Sequence, residues 1–211
     1  MEESLEFTAR TPVPLDLTAF NKNAAIPYGL TPNHLYAAMT DFLDFLGFIN
    51  LQLASKGIGR LETMMMPANF SSLVGEFLNN TLPKYCHTLV RNRYHNGHPD
   101  LLPAGHFSGD AVQHTNVGIE VKASRYWRGW QGHNAEAIWL LIFVFESNRP
   151  NDAERGIGPK PFQFRLVAGA SLLTDDWVFS GRSAGSRRTI TASVARSGYE
   201  KIIDNWIYRQ V

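Results

Sequence analysis

His98-Pro99-Asp100-Leu101-Leu102-Pro103, followed after a glycine-containing loop by Val117-Gly118-Ile119-Glu120-Val121-Lys122-Ala123-Ser124, is the stretch around which the chain reads. The second piece alternates with the period of a strand. Val117, Ile119, Val121 and Ala123 fall on one face, and Gly118, Glu120, Lys122 and Ser124 on the other. The first face is uniformly apolar, which predicts a strand deep in the protein. Glu120 and Lys122 then point the same way from a buried element. Charges in that position are costly unless they are paired or bind a metal, so the strand calls for a chemical explanation.

Pro99-Asp100 followed by Glu120-Val121-Lys122, the second acid coming 20 positions after the first, resembles the signature of the PD-(D/E)XK nucleases, the restriction-endonuclease-like superfamily. Asp100 precedes apolar Leu101 and Leu102, as at the start of a short strand, and a third carboxylate, Glu76, lies upstream on a predicted helix. The resemblance implies an α/β fold, a restriction-endonuclease-like core with a central mixed β-sheet flanked by helices. It also implies that Asp100 and Glu120 hold Mg2+, with the Val121 backbone carbonyl as a third ligand and Mn2+ able to substitute. Lys122 would orient the attacking water and stabilise charge rather than abstract a proton, because a protonated amine is a poor base. Glu76 would reach the metal directly or through water, and Gln131 would assist from shortly after the lysine. Glu76 reads equally well as a solvated helix residue, and the Gln131 spacing follows no fixed pattern.

The implied activity is Mg2+-dependent hydrolysis of DNA phosphodiester bonds, as sequence-specific double-strand cleavage by a Type II restriction enzyme. Mg2+ suits the reaction because it takes oxygen ligands and keeps several waters. A nicking, repair or branched-DNA nuclease would keep the same core with another substrate. A non-catalytic DNA-binding module would have lost the Asp, Glu or Lys, and all three are present.

The segment after the strand, Arg125-Tyr126-Trp127-Arg128-Gly129-Trp130-Gln131-Gly132-His133-Asn134, mixes two arginines with three aromatic rings. Arg125, Arg128, Trp130, His133 and Asn134 are candidate DNA contacts, since arginine forks onto phosphate or guanine and rings stack or wedge. The other reading of the tryptophans is as anchors to the core. Arg182, Arg187 and Arg188 form a second basic group. From Gly181 onward six basic side chains face two acidic ones, a modest phosphate-binding footprint or a solubilising edge. Six of the seven histidines lie between His87 and His133. A zinc site there would normally show paired cysteines or a spaced histidine pair; this region has neither, so the histidines read as polar loop residues.

Composition bounds the rest. The chain has 211 residues, 44% of them hydrophobic and 18% charged, which suits one folded domain and excludes disorder. A formal net charge of +1 gives nucleic-acid binding little global support, although an acidic centre cancels basic contact surfaces in the sum. The single cysteine, Cys86, excludes an internal disulfide framework and suits a reducing compartment. No signal peptide or spanning segment is evident. The expectation is a soluble, cytoplasmic protein with no membrane association, bacterial, archaeal or phage-encoded.

Residues 1–68 read as an N-terminal arm and helical extension, and 69–211 as the catalytic core. Thr31-Pro32 reads as an N-cap and first helical residue, opening a helix that Gly57 ends. Ser71 or Ser72 opens a second helix to about Leu82. Ala137 to Phe145 is too apolar to be amphipathic and predicts a buried central strand. Further strands are expected at 162–168 and 190–194, and Asp175-Asp176 reads as a turn. Ser197-Gly198-Tyr199-Glu200 reads as a capping box starting a helix with a stripe from Tyr199 to Ile207. Tyr36, Phe42, Leu43, Phe45, Leu46, Phe48 and Ile49 crowd the first long helix on more than one side. That surface either meets a second copy, giving the homodimer that double-strand cleavage favours, or is covered by the arm.

Overall fold

A computed structural model describes residues 2–132, 134–179 and 191–210. In chain order the elements are α1 (Glu2–Thr8), α2 (Pro32–Ala54), α3 (Leu61–Met64), α4 (Pro67–Tyr85), β1 (Leu89–Arg91), β2 (Leu101–Pro103), β3 (Ile119–Ser124), β4 (Gln131–Gly132), β5 (Ile138–Glu146), β6 (Gln163–Leu172), β7 (Trp177–Phe179), β8 (Ala192–Val194), α5 (Arg196–Asp204) and β9 (Trp206–Arg209). Six strands form one mixed sheet in the order β1-β2-β3-β5-β6-β9, and β4-β8-β7 form a small second sheet. Among the described strands the β3–β5 pair alone is parallel, with Glu120 opposite Leu140 and Lys122 opposite Ile142.

Hydrophobic alternation sends the two faces of this sheet to different partners. Ile119, Val121, Leu141, Phe143 and Phe164 face α2 and α4, while Leu140, Ile142, Val144 and Ala168 face α5 and the small sheet. The central strand β5 is therefore covered on both sides, which is why its sequence is an unbroken apolar run. Phe42 of α2 packs its ring 5.3 Å from Phe77 of α4 and 5.8 Å from Phe164 of β6. Thus α2 lies within the main core. The expected Thr31 cap is present, its hydroxyl accepting from the His34 N–H. On the outer side of α2, Phe48 and Leu51 remain exposed.

The arm closes against the far edge of the sheet. Phe20 bridges to Tyr208 of β9, and the Asn21 N–H donates to the Ile207 carbonyl at 2.8 Å. A second tie runs through Arg60, which is 1% exposed. Its guanidinium contacts Glu6 at 2.8 Å and the fully buried Glu62 at 3.0 Å, and donates to Asn148 Oδ1 and the Lys160 carbonyl.

Three local expectations change. The second helix begins at Pro67, several residues before Ser71, because proline fits a first helical turn whose N–H groups have no partners. The capping box does not form. Ser197 instead donates to Asp176 Oδ1 at 2.8 Å, Glu200 pairs with Arg196, and the helix starts after Ala195. Trp206 and Ile207, read as the end of that helix's stripe, extend as β9 to pair with β6. Asp176 is buried, capping the Leu173 N–H and pairing with Lys201. Among the described residues no helix is long and apolar enough to cross a membrane.

Candidate active site

Asp100 stands immediately before β2, and Glu120 and Lys122 lie on β3. Strand alternation turns Glu120 and Lys122 away from the helices, as their apolar neighbours Ile119 and Val121 enter the helical core. Asp100 reaches the same place from the neighbouring strand, its Oδ2 accepting the Val121 N–H at 2.9 Å. Close approach of the two strands depends on Gly118. Its φ is +140°, and a side chain there would collide with the Leu101 carbonyl and lie 2.6 Å from Pro99 Cγ. Asn92, nearly buried, holds the loop that carries Asp100. Its amide donates to the carbonyls of Pro99 and Val112, and its oxygen accepts from the N–H groups of Tyr94 and Val112.

Asp100, Glu120, Lys122 and Glu76 line one open cleft of about 1040 Å³, with Arg91 and Arg93 also on its wall. Glu76 is exposed on α4 and is paired with Arg91 at 2.6 Å; Arg91 also donates to Asn80. The structure thus brings together the trio and the helical glutamate that the sequence nominated.

Two residues that the sequence reading did not nominate complete the inner cluster. Glu120 divides its oxygens, Oε1 accepting from Lys122 Nζ and Oε2 lying 3.0 Å from His98 Nδ1. His98 Nε2 lies 2.6 Å from Glu136 Oε2. Glu136 just precedes β5, and parallel pairing sets it beside the start of β3. Its signal was available as the lone charge between Arg128 and the end of the apolar run. Nothing local in the sequence marks His98 as its partner.

The electrostatics are uneven. Burial, then the charge of Glu120, pushes the Asp100 carboxyl up to about 7, against the opposing pull of the Val121 N–H and Lys122. Burial also works to raise Glu120. The His98 hydrogen bond and the Lys122 charge outweigh it and hold Glu120 down at about 2. Two buried carboxylates lining one cleft do not both ionise cheaply without added positive charge, and Asp100 is the one whose protonated form is favoured. Burial disfavours the charged form of Lys122, but Glu120 more than compensates and its pKa is raised.

The other nominated residues are dispersed. Arg125 belongs to the opposite, helical face, its guanidinium 5.2 Å from the Phe70 ring and 5.1 Å from Phe145, with Nη1 donating to the Ser147 carbonyl. It lines a separate cavity of about 390 Å³ with Arg149, Arg155, Lys160 and Arg165. Trp130 is an anchor, 3% exposed, with its indole N–H donating to the Tyr126 carbonyl and its ring stacked on Tyr199. It therefore offers no free face to a base. Arg128 is exposed, and Gln131 is exposed in β4, paired across to Ser193. The smaller cavity beside the trio is lined by Gly132 and Asn134 and not by Gln131. His133, Arg182, Arg187 and Arg188 lie outside the described residues. Comparison of the chain with protein-family models, curated proteins and solved structures finds no significant match.

Proposed function

We propose that this chain is a Mg2+-dependent endonuclease that hydrolyses phosphodiester bonds of double-stranded DNA, with the PD-(D/E)XK type of centre. The observation that supports it most is the convergence of Asp100, Glu120 and Lys122 from two adjacent strands in one open cleft. The donor set fits a hard cation. Two carboxylates meet, and burial together with the charge of Glu120 pushes the Asp100 carboxyl up to about 7, a cost that a bound cation would relieve. The Val121 carbonyl supports the fit, because a strand residue's N–H and C=O point to the same side and the Val121 N–H is turned to Asp100. Mg2+, or Mn2+ in its place, bound there supplies charge stabilisation at a phosphoryl oxygen and a more acidic water.

The chain's own groups do the rest. Lys122 remains an ammonium held by Glu120, so it offsets charge building on the phosphoryl oxygens and orients the attacking water. Glu120 fixes Lys122 on one oxygen and His98 on the other. Arg91 and Arg93, on the cleft wall, offer guanidinium groups to flanking phosphates. Two copies related by a two-fold axis would present centres of opposite polarity to the two strands, and the exposed Phe48 and Leu51 of α2 supply an apolar surface for that contact.

Incubation with plasmid and phage DNA in Mg2+ or EDTA tests the proposal. Discrete fragments in Mg2+ alone support a sequence-specific enzyme, and relaxed circles without linear product would convert the reading to a nickase. Intact DNA in both Mg2+ and Mn2+ would refute it. Sedimentation equilibrium tests the assembly, and a 23.7 kDa species both alone and on DNA rules out the dimer.

A further inference from the structure

We propose that His98, His114 and Glu136 form a second cation site, suited to a divalent transition metal of the Zn2+ class and separate from the Asp100–Glu120 pair. One ligand atom from each lies within 4.8 Å of the other two. The three come from distant segments that the backbone holds in register. His98 and His114 form an isolated parallel bridge, with the His98 N–H donating to the Gln113 carbonyl and the Thr115 N–H to the His98 carbonyl, each at 3.0 Å. Their rings stack with centroids 5.3 Å apart. Glu136 is fixed from behind, its carbonyl accepting the Trp177 indole N–H at 2.9 Å.

The placement of His98 carries the argument. Its Nδ1 faces Glu120 Oε2 at 3.0 Å, the kind of outer carboxylate contact that orients a ring, and this turns Nε2 to the opposite side. There Nε2 lies 2.6 Å from Glu136 Oε2 but outside hydrogen-bond geometry. Nε2 is thus a buried polar atom aimed at a carboxylate oxygen without a hydrogen bond to hold it, and a cation between them would engage both. A metal-binding imidazole whose other nitrogen donates to a carboxylate is the arrangement that orients such ligands. Glu120 is that outer carboxylate, so it serves both sites.

The donor set selects the ion. Two imidazole nitrogens and one carboxylate suit borderline cations such as Zn2+ or Co2+, whereas Mg2+ prefers oxygen throughout. Three protein ligands leave a fourth position open, and a cavity of about 310 Å³ that includes Gln113 and Asn134 adjoins the cluster to receive a water or another ligand. The inference does not rest on the nuclease reading.

Co2+ titration of the EDTA-stripped full chain, followed by visible absorption and by bound metal per chain, tests it. The expected result is one Co2+ with the strong bands of four-coordinate geometry, displaced by Zn2+ and not by excess Mg2+. Asp100→Asn should keep those bands. His114→Ala and Glu136→Ala should lose them, with circular dichroism showing both folded; His114 is exposed, so its removal spares the core. Glu120→Gln should weaken Co2+ roughly 10- to 100-fold as an outer-shell change. No Co2+ uptake, bands that survive both His114→Ala and Glu136→Ala, or bands lost in Asp100→Asn would each overturn the site. DNA cleavage in Mg2+ is scored separately, so either reading can fail alone.

Discussion

Replacing Asp100 by Asn should make the metal-free protein more stable at alkaline pH, and the size of the gain follows from the site. An Asp with an ordinary value of 3.8 that is held at about 7 in the folded chain stabilises fully below the lower value. It loses that contribution as pH rises through the upper one, in total about 4 kcal/mol. Glu120 has the opposite sign. Held at about 2 against an ordinary 4.5, it contributes about 3 kcal/mol that is present above 4.5 and lost in acid. Between pH 5 and 8 Glu120 is therefore constant and Asp100 is the group that changes. His98, whose raised value also costs stability as pH rises, is present in both proteins and largely cancels in their difference. Asn keeps an oxygen for the Val121 N–H, so the backbone contact survives. Urea unfolding in EDTA at pH 5, 6, 7 and 8 should show the stability of Asp100→Asn relative to wild type improving by about 3 kcal/mol across the range. At a typical m value that is a shift of roughly 1–2 M in relative midpoint. Excess Mg2+ at pH 8 should raise the wild-type midpoint and leave the variant unmoved. A wild-type-to-variant difference constant within about 0.5 kcal/mol from pH 5 to 8 would refute the reasoning, because Asp100 would then be ionised throughout.

Asp100→Ala, Glu120→Ala and Lys122→Ala should each abolish DNA cleavage while leaving most of the affinity measured in Ca2+; wild-type turnover in any of them removes that residue from the centre. Glu76→Ala, which breaks an exposed pair with Arg91, should lower the rate less and change stability by under about 1 kcal/mol. Arg60→Met leaves the buried Glu62 without its cation and should cost about 3–5 kcal/mol in urea unfolding; a loss below about 1 kcal/mol would mean that the pair is not ionised. Gly118→Ala should cost about 1–3 kcal/mol of backbone strain and displace Asp100. If it cleaves DNA at the wild-type rate, the close approach of β2 and β3 is not needed for activity.

The parts of the molecule that could be read from the sequence are those with local causes. The alternation from Val117 to Ser124 foretells both the buried face of β3 and the shared direction of Glu120 and Lys122. The apolar run after Ala137 foretells β5, and Thr31-Pro32 foretells the start of α2. What escaped depends on pairing between distant segments. His98, His114 and Glu136 meet because β5 lies parallel to β3 and the loop before β2 folds back on residue 114, and no spacing rule for metal ligands describes that. The misread capping box has the same origin, since Ser197 found a stronger partner in Asp176. Trp206 and Ile207 have helical spacing with Tyr199 and Ile202, but the unpaired edge of β6 draws them into a strand. Trp130 and Arg125 carry side chains common to nucleic-acid surfaces, yet one is packed on Tyr199 and the other is held against two phenylalanine rings.

The arm's contact with β9 bears on how the protein avoids self-association through its sheet. An open edge presents unpaired N–H and C=O groups on which another chain can add a strand. At β9 the Phe20–Tyr208 bridge and the Asn21 N–H on the Ile207 carbonyl occupy that position. Nearly two hundred residues of chain separate the contact's two sides, so closing it costs loop entropy, and the edge is bare whenever the arm is detached. Deleting the segment through Asn21 should therefore produce concentration-dependent fibrils or amorphous precipitate, seen by light scattering, in place of a trimmed but soluble protein.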